Sequence, residues 1–174
     1  MFPQQITVAA SWNPKNAFEM ARIAAYDTKA SSVPWNFSPV LDLGLDARFP
    51  RQFETFGEDP YLASQLGEQA ILGYQGAEND ISTPYTLAAC MKHFMGYQIT
   101  RTGKDRTPAY IPEHQLRELH LPSFQRAIDA GAKTIMINSG LINSLPVHAN
   151  KYLLTTLLQE ELGFKGVILT DWED

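Results

Sequence analysis

Four short apolar runs, each ending in polar or ionisable residues and each separated from the next by a stretch of helical periodicity, are what most constrains this chain. They are Val33-Pro34-Trp35-Asn36-Phe37-Ser38-Pro39-Val40, Leu87 to Phe94, Ala132 to Asn138, and Gly166 to Thr170. Runs this short and this apolar suit strands buried on both faces of a parallel sheet. The prolines make the first run the least regular, because proline cannot donate to a ladder. Between the runs, helices are expected over Asn16 to Thr28, Asp59 to Gly76, Pro112 to Gly131 and Asn150 to Leu162. Asp59-Pro60 reads as an N-cap followed by proline at the first helical position, and Gly131 and Gly163 read as stops. The alternation predicts an α/β fold with parallel strands.

A chain of 174 residues with 44% hydrophobic and 19% charged residues can bury one sizeable core. Its net charge of −5 comes with scattered lysines and arginines, which argues against nucleic acid or an anionic membrane as partner. No stretch is long and apolar enough to span a bilayer. Met1 to Gln5 has neither the basic nor the apolar region of a signal peptide, so a leader in the parent protein would lie upstream. The single cysteine, Cys90, has no internal disulfide partner and sits in an apolar run, as a buried structural thiol does.

Two parallel architectures fit the alternation. An open doubly wound sheet gathers its polar groups at one switch point, whereas a barrel collects them from every strand end. Here polar groups follow every run: Asp42 to Arg51, Lys92-His93, Asn138-Ser139 and Asp171. The expectation is therefore an incomplete TIM-type (β/α)8 barrel, since a whole one takes about 250 residues. The last run delivers Asp171-Trp172-Glu173-Asp174 where barrel enzymes present a catalytic acid. The chain reads as a piece of a larger enzyme.

Asp171, directly after Val-Ile-Leu-Thr, is the leading candidate for chemistry, and Trp172 beside it offers a flat face for a sugar ring. Neighbouring strand residues point to opposite faces, so Lys92 and His93 reach one site only if the strand ends or bulges there. As donors they would hold sugar hydroxyls or compensate a carboxylate; otherwise Lys92 snorkels outward and His93 is a core histidine. Arg51 lies among aromatics and both charge signs, as in a pocket-rim loop fixed by ion pairs, with Glu54 as an arginine's structural partner. The long loop from Gly96 to Tyr110 follows a strand, and its Asp105 and Arg106 would brace the same network. Met136 is a gap filler or a pocket wall. A metal site would have to use His93, His148 and Asp171. No His-x-His or His-x-x-x-His pair supports it, and no metal or cofactor is expected.

Taken in order, Arg51-Gln52-Phe53-Glu54-Thr55-Phe56-Gly57-Glu58-Asp59-Pro60, Lys92-His93-Phe94, Met136-Ile137-Asn138-Ser139, and Gly163-Phe164-Lys165-Gly166 with Thr170-Asp171-Trp172 resemble the N-terminal barrel domain of glycoside hydrolase family 3. The resemblance covers almost the whole chain. It implies a retaining, exo-acting β-glycosidase, β-glucosidase-like, with Asp171 as nucleophile. It assigns Arg51, Lys92 and His93 to hydroxyls of the non-reducing sugar, Met136 to the same subsite and Trp172 to a wall near the leaving group. The partner it implies is an oligosaccharide or glycoside.

Several departures matter. Ser139 stands where many β-glucosidases of the family carry tyrosine, and Phe49-Pro50 replaces the usual Trp-Gly. The N-acetylglucosaminidase branch reads Lys-His-Phe-Pro-Gly-His-Gly and takes its acid/base from a histidine on a barrel loop. Here the loop reads Lys92-His93-Phe94-Met95-Gly96-Tyr97-Gln98, as in β-glucosidases and β-xylosidases, whose acid/base glutamate comes from a second, C-terminal domain. Residues 1–174 would thus lack an early strand, the last barrel strands and that domain, and are not expected to be active alone. Secreted and periplasmic relatives imply an exported parent. The rivals are a β-xylosidase, an N-acetylglucosaminidase, a metal-dependent barrel hydrolase and a catalytically silent sugar-binding relative.

Overall fold

Helices and parallel strands alternate along the chain in the computed structural model, which describes residues 3–174; Met1 and Phe2 of the N-terminal segment lie outside the described residues. Helices α1 (Gln5–Ala9), α2 (Pro14–Ala30) and α3 (Pro60–Gln75) precede strand β1 (Cys90–Phe94). Helix α4, over residues 113–129, leads to β2 (Thr134–Ile137). A short hairpin of β3 (Leu141–Ile142) and β4 (Leu145–Pro146), then helix α5 (Tyr152–Glu161), lead to β5 (Val167–Leu169).

The helix starts follow the expected capping logic. Asp59 accepts from the Leu62 N–H at 2.6 Å ahead of Pro60, and Asn13 accepts from the Lys15 N–H at 3.1 Å ahead of Pro14. Asn13-Pro14 thus starts α2 two residues before the sequence expectation. In α4 the hydrogen bonding widens to a π-helix over Leu116–His120. That turn ends where Pro122 withholds the N–H that would bond the Glu118 carbonyl. Helix α5 is wound in the same wide form.

β1, β2 and β5 form one parallel sheet in that order. The expected first strand, Val33 to Val40, is instead an extended edge along β1. Among the described residues, its ladder contacts are single parallel bridges at Trp35–Ala88 and Val40–Lys92. Pro34 and Pro39 offer carbonyls to Ala88 and Lys92 but no N–H in return, which breaks the ladder. The other strands are shorter than their apolar runs. The expectation of burial on both faces holds for β1 and β2, while β5 has one strand neighbour among the described residues and leaves Val167 58% exposed. These strands do not close a barrel; they make an open sheet whose spatial order follows the chain, with no switch point among the described strands.

The helices pack on one another and on the sheet through small residues and aromatics. Ala17, Ala21 and Ala25 of α2 are fully buried, and a Cβ on Gly73 of α3 would lie 2.4 Å from the Phe18 carbonyl, so the two backbones touch where side chains are absent. Phe124 of α4 packs edge-on to Phe94 of β1, with centroids 5.2 Å apart. Buried Gln75 joins the chain ends feeding the sheet: its amide donates to the Gly131 carbonyl, and its carbonyl accepts from Ala89 and Lys133. Cys90 is buried and free. Among the described residues, no helix is long and apolar enough to cross a membrane.

Candidate active site

Because the strands are parallel, their polar followers emerge at one end, and the central group there is Asp171, one residue beyond Thr170 at the exit of β5. Its side chain is 12% exposed. Oδ1 accepts from the Trp172 N–H at 2.7 Å and faces Arg106 Nη2 at 3.7 Å. Oδ2 accepts from Ser139 Oγ at 3.4 Å and faces His93 Nε2 at 3.8 Å. Burial pushes the Asp171 carboxyl up, but the Trp172 N–H and the charges of His93, Arg106 and Arg51 outweigh it. The net shift is below the ordinary value of 3.8. Asp171 is a carboxylate at neutral pH.

His93 reaches this carboxylate because β1 is irregular: Met91 to Phe94 on β1 spans only Ile135 to Ile137 on β2, so one extra residue is accommodated at Lys92-His93. The His93 ring turns inward, with Nδ1 2.7 Å from Asp42 Oδ2 and its own backbone N–H donating to the same oxygen at 2.9 Å. Lys92 keeps to the Arg51–Glu54 side of the site. It lines a cavity of about 290 Å³ with Gln5, Ser38, Phe53, Glu54 and Tyr74, a cavity to which neither His93 nor Asp171 contributes. Burial, then the Arg51 charge, lowers its ammonium pKa, and the Glu54 and Asp171 carboxylates oppose this.

Arg51 anchors the other side. Its Nε and Nη2 donate to the two oxygens of Glu54, each at 2.8 Å, and Nη1 donates to Tyr97 Oη at 2.8 Å. The Glu54 hydrogen bond raises the guanidinium pKa further. Tyr97 Oη in turn donates to Asp105. Burial and that acceptor push the phenol pKa up, so it remains protonated. The Tyr97 ring lies 4.0 Å from the His93 ring, centroid to centroid, and meets Phe49 edge-on at 5.4 Å. From the same long loop, Arg106 Nη1 donates to the Trp172 carbonyl at 3.0 Å. The loop thus holds both the Arg51 corner, through Asp105, and the Asp171 corner, through Arg106.

Of the residues singled out in the sequence, the fold brings Arg51, His93 and Asp171 into one charged cluster. Met136 is buried on β2 opposite Leu169, and Trp172 is held by its backbone with its side chain exposed. His148 does not join Asp171; its Nε2 lies 3.1 Å from Asp174. Among the described residues, no three of His, Cys, Asp and Glu gather as metal ligands. Two residues without an assigned role in the sequence enter the cluster, Asp42 and Tyr97. The only trace of Asp42 was its place directly after an apolar run, and Tyr97 stood in the loop motif without a partner.

The fold and site define an α/β enzyme domain with an acid–imidazole–acid line at the carboxyl ends of parallel strands. The model of the glycosyl hydrolase family 3 N terminal domain matches residues 1–174, and the chain belongs to that family. A lysosomal beta glucosidase of Dictyostelium discoideum is 47% identical over the whole chain, and a beta-xylosidase of Formosa agariphila is 37% identical over the same extent. The crystal structure of a beta-glucosidase from Listeria innocua in complex with isofagomine superimposes on 99% of the chain with a TM-score of 0.96 at 34% identity. The chain spans 22% and 24% of the length of the two curated relatives and 24% of the crystallised chain.

Proposed function

We propose that the chain is the catalytic-nucleophile portion of a retaining, exo-acting β-glycosidase, and that its sugar is a terminal β-glucosyl residue. The observation that carries this is the Asp171 carboxylate, largely shielded from solvent, ionised, and faced by His93 and Arg106. Asp171 attacks the anomeric carbon as the bond to the leaving oxygen breaks, through an oxocarbenium-like transition state. A second carboxyl group, about 5–5.5 Å away in retaining geometry, protonates that oxygen and then draws a proton from the water that releases the sugar. That group belongs to a further domain of the complete protein.

Arg51, Lys92 and His93 are the hydroxyl-binding residues of this reading. Arg51 keeps two N–H groups free of Glu54 and Tyr97, and His93 keeps Nε2. Met136 lines the sugar subsite, and Trp172 is the wall toward the leaving group. The chain-order succession of edge, β1, β2 and β5 supports a barrel completed by strands before and after residues 1–174. Tyr97, tied to Arg51 and Asp105, stands at the second histidine of the N-acetylglucosaminidase motif, and this departure favours the glucosidase side. The 37%-identical relative keeps β-xylosides in the assay.

The test is hydrolysis of aryl β-glucosides and β-xylosides by the full-length protein beside Asp171→Asn, with and without a chelator. Chelator-resistant turnover of the glucoside that collapses in the variant is expected. Turnover that survives the substitution refutes the nucleophile, turnover lost to the chelator refutes the metal-free reading, and preference for the xyloside refutes the sugar.

A further inference from the structure

A single carboxylate oxygen holds His93 at two points. Asp42 Oδ2 lies 2.9 Å from the His93 backbone nitrogen and 2.7 Å from ring Nδ1, and both side chains are 1% exposed. The backbone N–H is always a donor, so Oδ2 is an acceptor in this arrangement. An acceptor facing Nδ1 requires the ring proton on Nδ1. Nε2 is then the one ring atom left to address the site. It is buried without a hydrogen-bond partner and stands 3.8 Å from Asp171 Oδ2, beyond hydrogen-bond reach yet within the span of one intervening hydroxyl. The Tyr97 ring, 4.0 Å away, covers one face of the imidazole.

We infer that Asp42 is a positioning residue for the reaction proposed above: it fixes the rotation of the His93 ring and keeps its proton on Nδ1, so that Nε2 alone meets the substrate oxygen lodged beside Asp171. A neutral His93 then accepts from a sugar hydroxyl at Nε2, and an imidazolium donates from the same atom. The address is the same in both charge states. The role in catalysis rests on the glycosidase reading, but the location of the proton does not.

The test uses the full-length protein labelled with 15N at histidine, with the His93 signals assigned by their loss in His93→Gln. In the neutral ring, the wild-type protein is expected to carry its proton on Nδ1. Asp42→Asn retains an oxygen able to accept both bonds and should keep that tautomer. Asp42→Ala should shift the population toward Nε2–H, the form free imidazoles favour. On an aryl β-glucoside, Asp42→Ala should lower kcat about 10- to 100-fold with KM changed by less than about threefold, and Asp42→Asn should fall between it and wild type. A wild-type ring protonated at Nε2, or a folded Asp42→Ala variant with wild-type tautomer or kcat, overturns the inference. If Asp42→Ala does not fold, the wild-type and Asp42→Asn spectra decide it. A wild-type protein that turns over no aryl glycoside refutes the glycosidase reading and leaves the tautomer result standing.

Discussion

Replacing Arg51 with lysine keeps the positive charge and removes the fork. The guanidinium makes three hydrogen bonds of 2.8 Å, two to Glu54 and one to Tyr97, with side chains 26% and 23% exposed in the ion pair. An ammonium on a shorter reach keeps one Glu54 contact and gives up two bonds, each worth about 1.5–3 kcal/mol when one partner is charged. Water reaches part of this pair and recovers some of the loss, leaving a net cost of about 2–3 kcal/mol. Tyr97 then keeps only Asp105, and its ring, which packs on His93, loses one of its two anchors. Felt at the transition state, that cost is a fall of about 30- to 150-fold in kcat/KM, at 1.4 kcal/mol per factor of ten. The assay is steady-state hydrolysis of an aryl β-glucoside by full-length Arg51→Lys, with a urea midpoint measured beside it. Activity within about threefold of wild type, with an unchanged midpoint, would mean that the fork does not hold the site together.

Three further outcomes follow from the same structure. The Asp171 carboxyl lies below its ordinary 3.8, so its contribution to stability is complete above about pH 5 and is lost as pH falls through the depressed value. Unfolding free energy measured from pH 6 down to pH 2 should decline less steeply below pH 4 in Asp171→Asn, and identical acid limbs refute the shift. Gly73→Val places a branched side chain against the Phe18 carbonyl and Ala21 and should cost about 1–3 kcal/mol through separation of α2 and α3, so an unchanged melting temperature contradicts that packing. Burial raises the Cys90 thiol to about 11, so iodoacetamide at pH 8 should label it only after denaturation, and fast labelling of the native protein overturns its burial.

The sequence by itself determined what local chemistry can determine. Asp59-Pro60 marked a helix start because a side-chain acceptor and a fixed φ act within one turn. The apolar runs at Cys90–Phe94, Thr134–Ile137 and Val167–Leu169 marked strands, since only an apolar stretch survives burial in a sheet. The place of Asp171 in the fold was legible because a carboxylate at the end of such a run is delivered to the strand ends. The limits were local as well. Pro34 and Pro39 reduced an expected strand to isolated bridges, and α1 and the β3–β4 hairpin are too short for their periodicity to stand out.

Tertiary structure alone decided which charges meet. Asp42 holds His93 across 51 residues, Tyr97 receives Arg51 across 46, and Arg106 reaches the Trp172 carbonyl across 66. No periodicity encodes these pairs, because hydrogen bonds and ion pairs depend on distances that exist only after the helices have packed the strands into register. The bulge at Lys92-His93 shows the same division. The sequence posed the question of whether two neighbouring side chains can serve one site, and the register of β1 against β2 accommodates one extra residue there, which turns His93 toward Asp171.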